Sequence, residues 1–158
     1  MTRHSLLKAT VAALLSVALL GQSLPAIAAN SGGTKSATNT AVPTYVDAKA
    51  AVDAGKYKSA IVALKVLVKT DPKNADAWNL LGFSSRKLKK YEDAAKYYDT
   101  ALRLDPKHRG ALEYQGELFI VTGAFDQAKA NLKSLKSLCG TCEEFADLKA
   151  ALSAAGQS

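Results

Sequence analysis

Apolar residues recur every three or four positions between Trp78 and Pro106, and this spacing is the strongest constraint on the fold. The spaced residues are Trp78, Leu81 and Leu88 in the first half, and Ala94, Tyr97, Tyr98, Ala101 and Leu104 in the second. Such spacing gives a helix one apolar face that must be buried. Lys89 and Lys90 form a polar turn between the halves, and Asp105-Pro106 ends the second half, because proline lacks the amide hydrogen that a helix interior needs. The stretch therefore predicts a helical hairpin.

The same pattern returns on both sides of this hairpin at one fixed step along the chain. Ala60, Ala94 and Ala128 occupy one register, and Pro72 precedes Pro106 by the same step. The first repeat is degenerate in its leading helix, and the third has Gly140 in place of the proline. The predicted repeats are 41–74, 75–108 and 109–142.

The repeated unit resembles the tetratricopeptide repeat (TPR), and its step equals the period of that family. The residues that carry the resemblance are Trp78, Leu81, Gly82, Ala94, Tyr98, Ala101 and Pro106. One departure is Ser85, where the family usually has tyrosine. The resemblance implies an all-α solenoid of three helical hairpins, in which the first helix of each hairpin lines a concave surface.

Two further features concern how helices begin and how the solenoid ends. Thr44 and Asp47 have the spacing of a capping box at the start of the first helix. Thr141 and Glu144 predict a second box, at the start of a final helix spanning 142–156.

The apolar residues of this final helix, Phe145, Leu148, Leu152 and Ala155, lie on one face. Because the last repeat of a solenoid exposes apolar surface, we expect this helix to cover it.

Residues 1–28 have the features of a secretory signal peptide. Arg3 and Lys8 precede the apolar run Ala9–Leu20, and small residues occupy both cleavage positions at Ala26 and Ala28. This run is shorter than the roughly 20 residues that span a bilayer, so no stable membrane insertion is expected. Cleavage after Ala28 would leave a mature chain that begins at Ala29.

The mature chain is predicted to be periplasmic. Residues 29–42 are rich in serine, threonine, glycine and asparagine and predict a flexible linker, which is followed by a TPR domain at 43–156. Loss of Arg3 and Lys8 lowers the formal charge from +7 to +5. An exported basic domain does not meet nucleic acid, so the charge indicates either solubility or contact with anionic lipid, cell-wall polymer or an acidic partner.

Cys139 and Cys142 are the only cysteines and lie in the order C-G-T-C. A structural disulfide suits an exported protein. Free packing thiols, a redox pair and metal binding are the alternatives. Haem attachment needs histidine after the second cysteine, where Glu143 stands, and a zinc site needs about four ligands. The predictions are a disulfide, no metal and no cofactor.

The resemblance also implies where a protein or peptide partner would lie. Its groove positions place these residues on the concave surface: Tyr45, Lys49, Val52, Asn79, Phe83, Arg86, Lys87, Glu113, Glu117 and Ile120. The groove is therefore expected to be basic in its middle and acidic towards its end. Phe83 is predicted either to anchor the partner or to pack against the next repeat. The residue set with which one TPR subclass grips a C-terminal carboxylate is absent, since Leu80 and Gly110 stand at two of its positions.

Enzymatic motifs are absent from the sequence, with no Gly-rich phosphate loop, GxSxG or HExxH. Glu113 and Glu117 are four residues apart on one helix and could serve as acid and base, but two solvated carboxylates are the expected arrangement. The predicted function is therefore a non-enzymatic exported adaptor, an assembly or scaffold factor that binds a peptide or a partner subunit. The alternatives are a thiol-disulfide redox or metal-handling protein that uses Cys139 and Cys142, and a self-assembling structural unit. Oligomeric state does not follow from the sequence.

Overall fold

The structure is a computed structural model that describes residues 42–157, so the predicted signal peptide at 1–28 and nearly all of the linker at 29–42 lie outside it. This part of the chain is entirely helical, without strands. The helices in chain order are α1 (Tyr45–Asp53), α2 (Tyr57–Thr70), α3 (Ala75–Lys87), α4 (Tyr91–Leu104), α5 (Arg109–Val121), α6 (Phe125–Leu138) and α7 (Glu143–Ala154). The prediction of an all-α solenoid of three hairpins and a terminal helix is confirmed.

Local sequence signals explain several helix ends. Thr44 caps α1 in the predicted box, because the amide of Asp47 donates to Thr44 Oγ1 at 3.2 Å and the amide of Thr44 donates to Asp47 Oδ2 at 3.0 Å. Lys89 takes a left-handed φ of 60° in the turn between α3 and α4. Helix α4 ends at Leu104, directly before Asp105-Pro106, as predicted.

Small residues let the helices approach closely. Ala48, Ala60, Ala94 and Ala128 are all completely buried. A β-carbon added to Gly82 would lie 2.5 Å from two ring carbons of Tyr98, whose side chain is itself completely buried. The glycine is therefore the residue that admits the Tyr98 ring between α3 and α4.

We expect Gly82→Leu to lower the free energy of unfolding by roughly 1–3 kcal/mol, because a branched side chain would overlap the buried ring of Tyr98. Urea unfolding followed by circular dichroism measures the change. The matched control is Ala130→Leu, at an exposed position of α6, which should leave stability nearly unchanged. Equal stability of the two variants would contradict the close approach of α3 and α4.

A polar chain also links the second and third hairpins. Gln115 Nε2 donates to Asp99 Oδ1 at 2.7 Å, and Asn131 Nδ2 donates to Gln115 Oε1 at 3.0 Å. Since Gln115 is buried, these bonds satisfy an amide that would otherwise cost stability. They join α4, α5 and α6 in a fixed arrangement.

The terminal helix packs on the third hairpin, but it begins differently from the prediction. Helix α7 starts at Glu143 with Cys142 as N-cap and without a side-chain cap, so the capping box of Thr141 and Glu144 is wrong. The hydroxyl of Thr141 lies 3.5 Å from the carbonyl oxygen of Cys139, and Glu144 Oε1 lies 3.5 Å from Arg109 Nε. The side chains of Thr141 and Glu144 therefore contact these other groups and do not cap α7.

Each of the helices between residues 42 and 157 falls short of the length and apolar character that crossing a bilayer requires.

Candidate functional site

The first helices of the hairpins, together with α7, border one cleft of about 320 Å³. We call it the acidic cleft, because five of its residues are aspartate or glutamate. The lining residues are Lys49, Val52, Asp53, Asn79, Leu80, Phe83, Gly110, Glu113, Tyr114, Glu143, Glu144 and Asp147. They come from α1, α3, α5 and α7, with Glu143 in the first position of α7. The concave surface thus continues across α7.

Half of the predicted groove residues line this cleft. Those that line it are Lys49, Val52, Asn79, Phe83 and Glu113, and those outside its lining are Tyr45, Arg86, Lys87, Glu117 and Ile120. Ile120 packs against the buried cluster that contains Leu112 and Leu148. Lys87 is exposed, with its Nζ 5.3 Å from the centroid of the Phe83 ring.

Phe83 packs between neighbouring repeats and also forms part of the cleft wall. Its ring centroid lies 6.0 Å from that of Tyr57 and 4.8 Å from that of Tyr114. Tyr57 belongs to the first hairpin and Tyr114 to the third. The ring is therefore held by both neighbours and presents only part of its surface to the cleft.

Arg86 and Glu117 form an ion pair that joins α3 to α5. The side chain of Arg86 is only 13% exposed, and its guanidinium carbon lies 5.7 Å from the centroid of the Tyr114 ring. A charge held in this way is not free to attract an acidic partner. Of the two cations expected at the middle of the groove, Arg86 is therefore neutralised by Glu117, and Lys87 is exposed.

Glu113 contradicts the expectation of a solvated carboxylate. It is 7% exposed and lines the cleft. Burial and the neighbouring carboxylates of Glu117, Asp147 and Glu144 raise the pKa of Glu113 to about 8, while Arg86 opposes the rise. Between residues 42 and 157, its carboxyl group has no hydrogen-bond or ion-pair partner.

Comparison with known proteins decides the family. Tetratricopeptide repeat profiles match residues 45–84 and residues 75–108, and the second match coincides with the central predicted repeat. This chain is a tetratricopeptide repeat protein. No curated protein matches its sequence significantly.

Several solved structures share the fold of this TPR protein. The TPR2B domain of yeast Sti1 in complex with pHsp70 is 16% identical, with a TM-score of 0.65 over 71% of this chain and 92% of that domain. The second TPR domain of human RPAP3, bound to the HSP70 peptide SGPTIEEVD, is 22% identical, with a TM-score of 0.62 over 70% and 90%. PcrH in complex with the chaperone-binding region of PopD is 22% identical, with a TM-score of 0.63 over 71% and 87%.

The repeat register of the TPR protein accounts for cleft residues that the sequence reasoning missed. Tyr45, Asn79, Glu113 and Asp147 follow one another at the step of the repeat, so each occupies the same place in its helix. The register was applied to three repeats, while α7 was interpreted only as a cover. Extending it by one step would have added Glu144 and Asp147 to the predicted groove.

The two cysteines lie at the junction of α6 and α7, outside the cleft lining. A disulfide joins Cys139, which follows α6, to Cys142, which precedes α7. The bridge closes a very short loop, for which chain entropy gives a stabilisation of about 2 kcal/mol. No group of three or more potential metal ligands is found in the stretch 42–157.

Proposed function

We propose that this TPR protein is an exported, non-enzymatic adaptor that holds an extended peptide or a segment of a partner subunit along its concave surface, as an assembly or scaffold factor. The observation that carries the proposal is the acidic cleft, which runs across helices from all three hairpins and α7. A cleft bordered by successive helices suits a chain segment, because polar and aromatic side chains from those helices can contact successive residues.

Proteins of similar fold support a peptide as the ligand class. The Sti1 and RPAP3 domains are bound to pHsp70 and to an HSP70 peptide, and PcrH is bound to a region of PopD. The RPAP3 peptide, SGPTIEEVD, carries three carboxylate side chains. The cleft of this chain has five acidic residues and one lysine, so it would repel such a peptide. Its partner therefore has a different charge from that ligand.

Export is the second element of the proposal, and the signal-peptide pattern of residues 1–28 supports it. The protein would then meet its partner in the periplasm. A disulfide between Cys139 and Cys142 is compatible with that oxidising compartment.

Site-specific photocrosslinking in the exported fraction tests both elements. A benzophenone amino acid in place of Lys49, which is exposed and lines the cleft, should crosslink one specific partner. The same amino acid in place of Val62, which is 68% exposed and outside the cleft, is the matched control and should not. Equal crosslinking from both positions, or none from position 49, would refute the groove. Finding the protein only in the cytoplasmic fraction would refute export.

A further inference from the structure

Two buried polar side chains at the acidic cleft have unused hydrogen-bonding capacity. Asn79 is 6% exposed, and its Oδ1 has no hydrogen-bond partner within residues 42–157. Glu113 is 7% exposed, and its carboxyl group makes no hydrogen bond or ion pair in that range, but its oxygens, unlike Asn79 Oδ1, are not fully buried. Both side chains line the cleft, from the adjacent helices α3 and α5. A buried acceptor without a partner costs free energy, so a donor brought by a ligand would be favourable.

The charge around these acceptors is one-sided. Asp53, Glu143, Glu144 and Asp147 also line the cleft, and Lys49 is its single cation. Lys49 Nζ lies 2.8 Å from Asp53 Oδ2, and Arg109 Nε lies 3.5 Å from Glu144 Oε1, so two of these four carboxylates are paired and those of Glu143 and Asp147 are left without an ion pair among residues 42–157. The potential within the cleft therefore favours a positively charged ligand.

Two aromatic side chains also lie in the acidic cleft. Phe83 and Tyr114 line the same cleft, with their ring centroids 4.8 Å apart. Aromatic faces attract cations, and a planar guanidinium group can also stack on them. The Arg86 guanidinium carbon already lies 5.6 Å from the Phe83 centroid and Lys87 Nζ lies 5.3 Å from it, so a ligand can contact only the ring surface that these two cations leave open. Acceptors, negative charge and aromatic rings thus lie together in one cleft.

We propose that the acidic cleft binds the guanidinium group of an arginine side chain of the partner, with Asn79 and Glu113 as the hydrogen-bond acceptors. This inference rests on the proposed adaptor function and specifies the chemistry of its ligand. Arginine fits better than lysine, because its five N–H donors form a planar fork that can reach two acceptors and stack on a ring.

The charge state of Glu113 predicts that arginine binding is accompanied by proton release. Because its pKa is about 8, the carboxyl group is mostly protonated at neutral pH while the cleft is empty. A guanidinium group beside it stabilises the carboxylate, so arginine binding should release a proton. Glu117, Asp147 and Glu144 oppose that release, and Arg86 favours it.

Calorimetric titration of the full chain with short probe peptides tests the proposal. The probes are capped Gly-Ser peptides with one central residue, which is arginine, the uncharged analogue citrulline, or glutamate. The arginine peptide should bind about tenfold more tightly than the citrulline peptide, a difference of about 1.4 kcal/mol, and the glutamate peptide should bind least. Titration in two buffers of different ionisation enthalpy should show proton release for the arginine peptide alone.

Two variants test whether the arginine preference and the proton release arise in the cleft. Glu113→Gln should reduce arginine-peptide affinity about tenfold and abolish proton release. The matched control Glu92→Gln, on the exposed surface of α4 and outside the cleft, should leave both unchanged. Equal binding of the arginine and citrulline peptides, or unchanged binding by Glu113→Gln, would overturn the proposal.

The two proposals can fail separately. If the partner still crosslinks from position 49 but shows no preference for arginine, the adaptor function stands and the guanidinium site falls. If no partner crosslinks from position 49 while the arginine peptide binds as expected, the site stands and the adaptor function falls.

Discussion

Replacing Leu148 by alanine should lower the free energy of unfolding by about 3 kcal/mol. Leu148 is completely buried in α7, in a cluster with Leu112, Ala128 and Leu135. A β-carbon added to Gly116 would lie 2.5 Å from one of its methyl carbons, so the leucine rests directly on the backbone of α5. Its truncation would leave a cavity that rigid helices cannot close.

Thermal and urea unfolding of the full chain measure this loss, which corresponds to a decrease in Tm on the order of 10 °C. The matched control is Leu138→Ala at the end of α6, where the side chain is 38% exposed and should contribute much less. Equal effects of the two substitutions would show that α7 does not pack on α5. Leu148 would then not be the residue that closes the solenoid.

The helical hairpins could be predicted because their signals are local. Apolar spacing marks the helices, and the repeated alanines at positions 60, 94 and 128 mark where small side chains are needed. Asp105-Pro106 marks the end of α4, because proline lacks the amide hydrogen that a helix interior needs. Each of these features depends on residues close together in the sequence.

The start of α7 could not be predicted in the same way. Thr141 and Glu144 have the right spacing for a capping box, but Cys142 occupies the N-cap. A box requires its first residue to stand where the chain enters the helix, and the disulfide-closed turn places Cys142 there. Glu144 faces Arg109 on α5 instead, a contact that arises only after the helices pack.

The cleft shows why the site was only half predictable. Family resemblance identified the concave surface, and five of the predicted residues line the cleft. The burial of Glu113 depends on packing around it, and the rise in its pKa depends in part on Asp147 and Glu144, which lie on α7 and are distant in the sequence. The pairing of Arg86 with Glu117 likewise depends on adjacent repeats meeting at one angle. Such tertiary effects leave no periodic signal.

Replacing Glu113 by glutamine should remove a pH-dependent loss of stability. In the unfolded chain the pKa of this carboxyl is near its ordinary value of 4.5, whereas in the folded protein it is about 8. Between these values the folded state retains a proton that the unfolded state has released, so stability falls as pH rises. Below pH 4.5 both states are protonated, and above pH 8 both are ionised and the loss is complete.

Glutamine keeps the shape of the protonated side chain and never ionises, so the variant should be more stable than the original protein at neutral pH. At about 1.4 kcal/mol for each pKa unit, the difference should grow from less than about 1 kcal/mol at pH 5 to on the order of 3 kcal/mol at pH 7. Urea unfolding at several pH values measures it. Subtracting the free energy of unfolding of the original protein from that of Glu113→Gln at each pH removes the contribution of all other titrating groups.

The control Glu92→Gln removes an exposed carboxylate of α4, so its stability difference from the original protein should not vary with pH. If the free energy of unfolding of Glu113→Gln differed from that of the original protein by the same amount at every pH from 5 to 8, Glu113 would be ionised and solvated in the folded state. The opposite result, a variant whose advantage grows as pH rises, would establish that the cleft holds Glu113 at a cost which a bound cation could offset. Without a ligand, the protein is then less stable than it would be with a neutral side chain at position 113, as expected of a site that is completed by its partner.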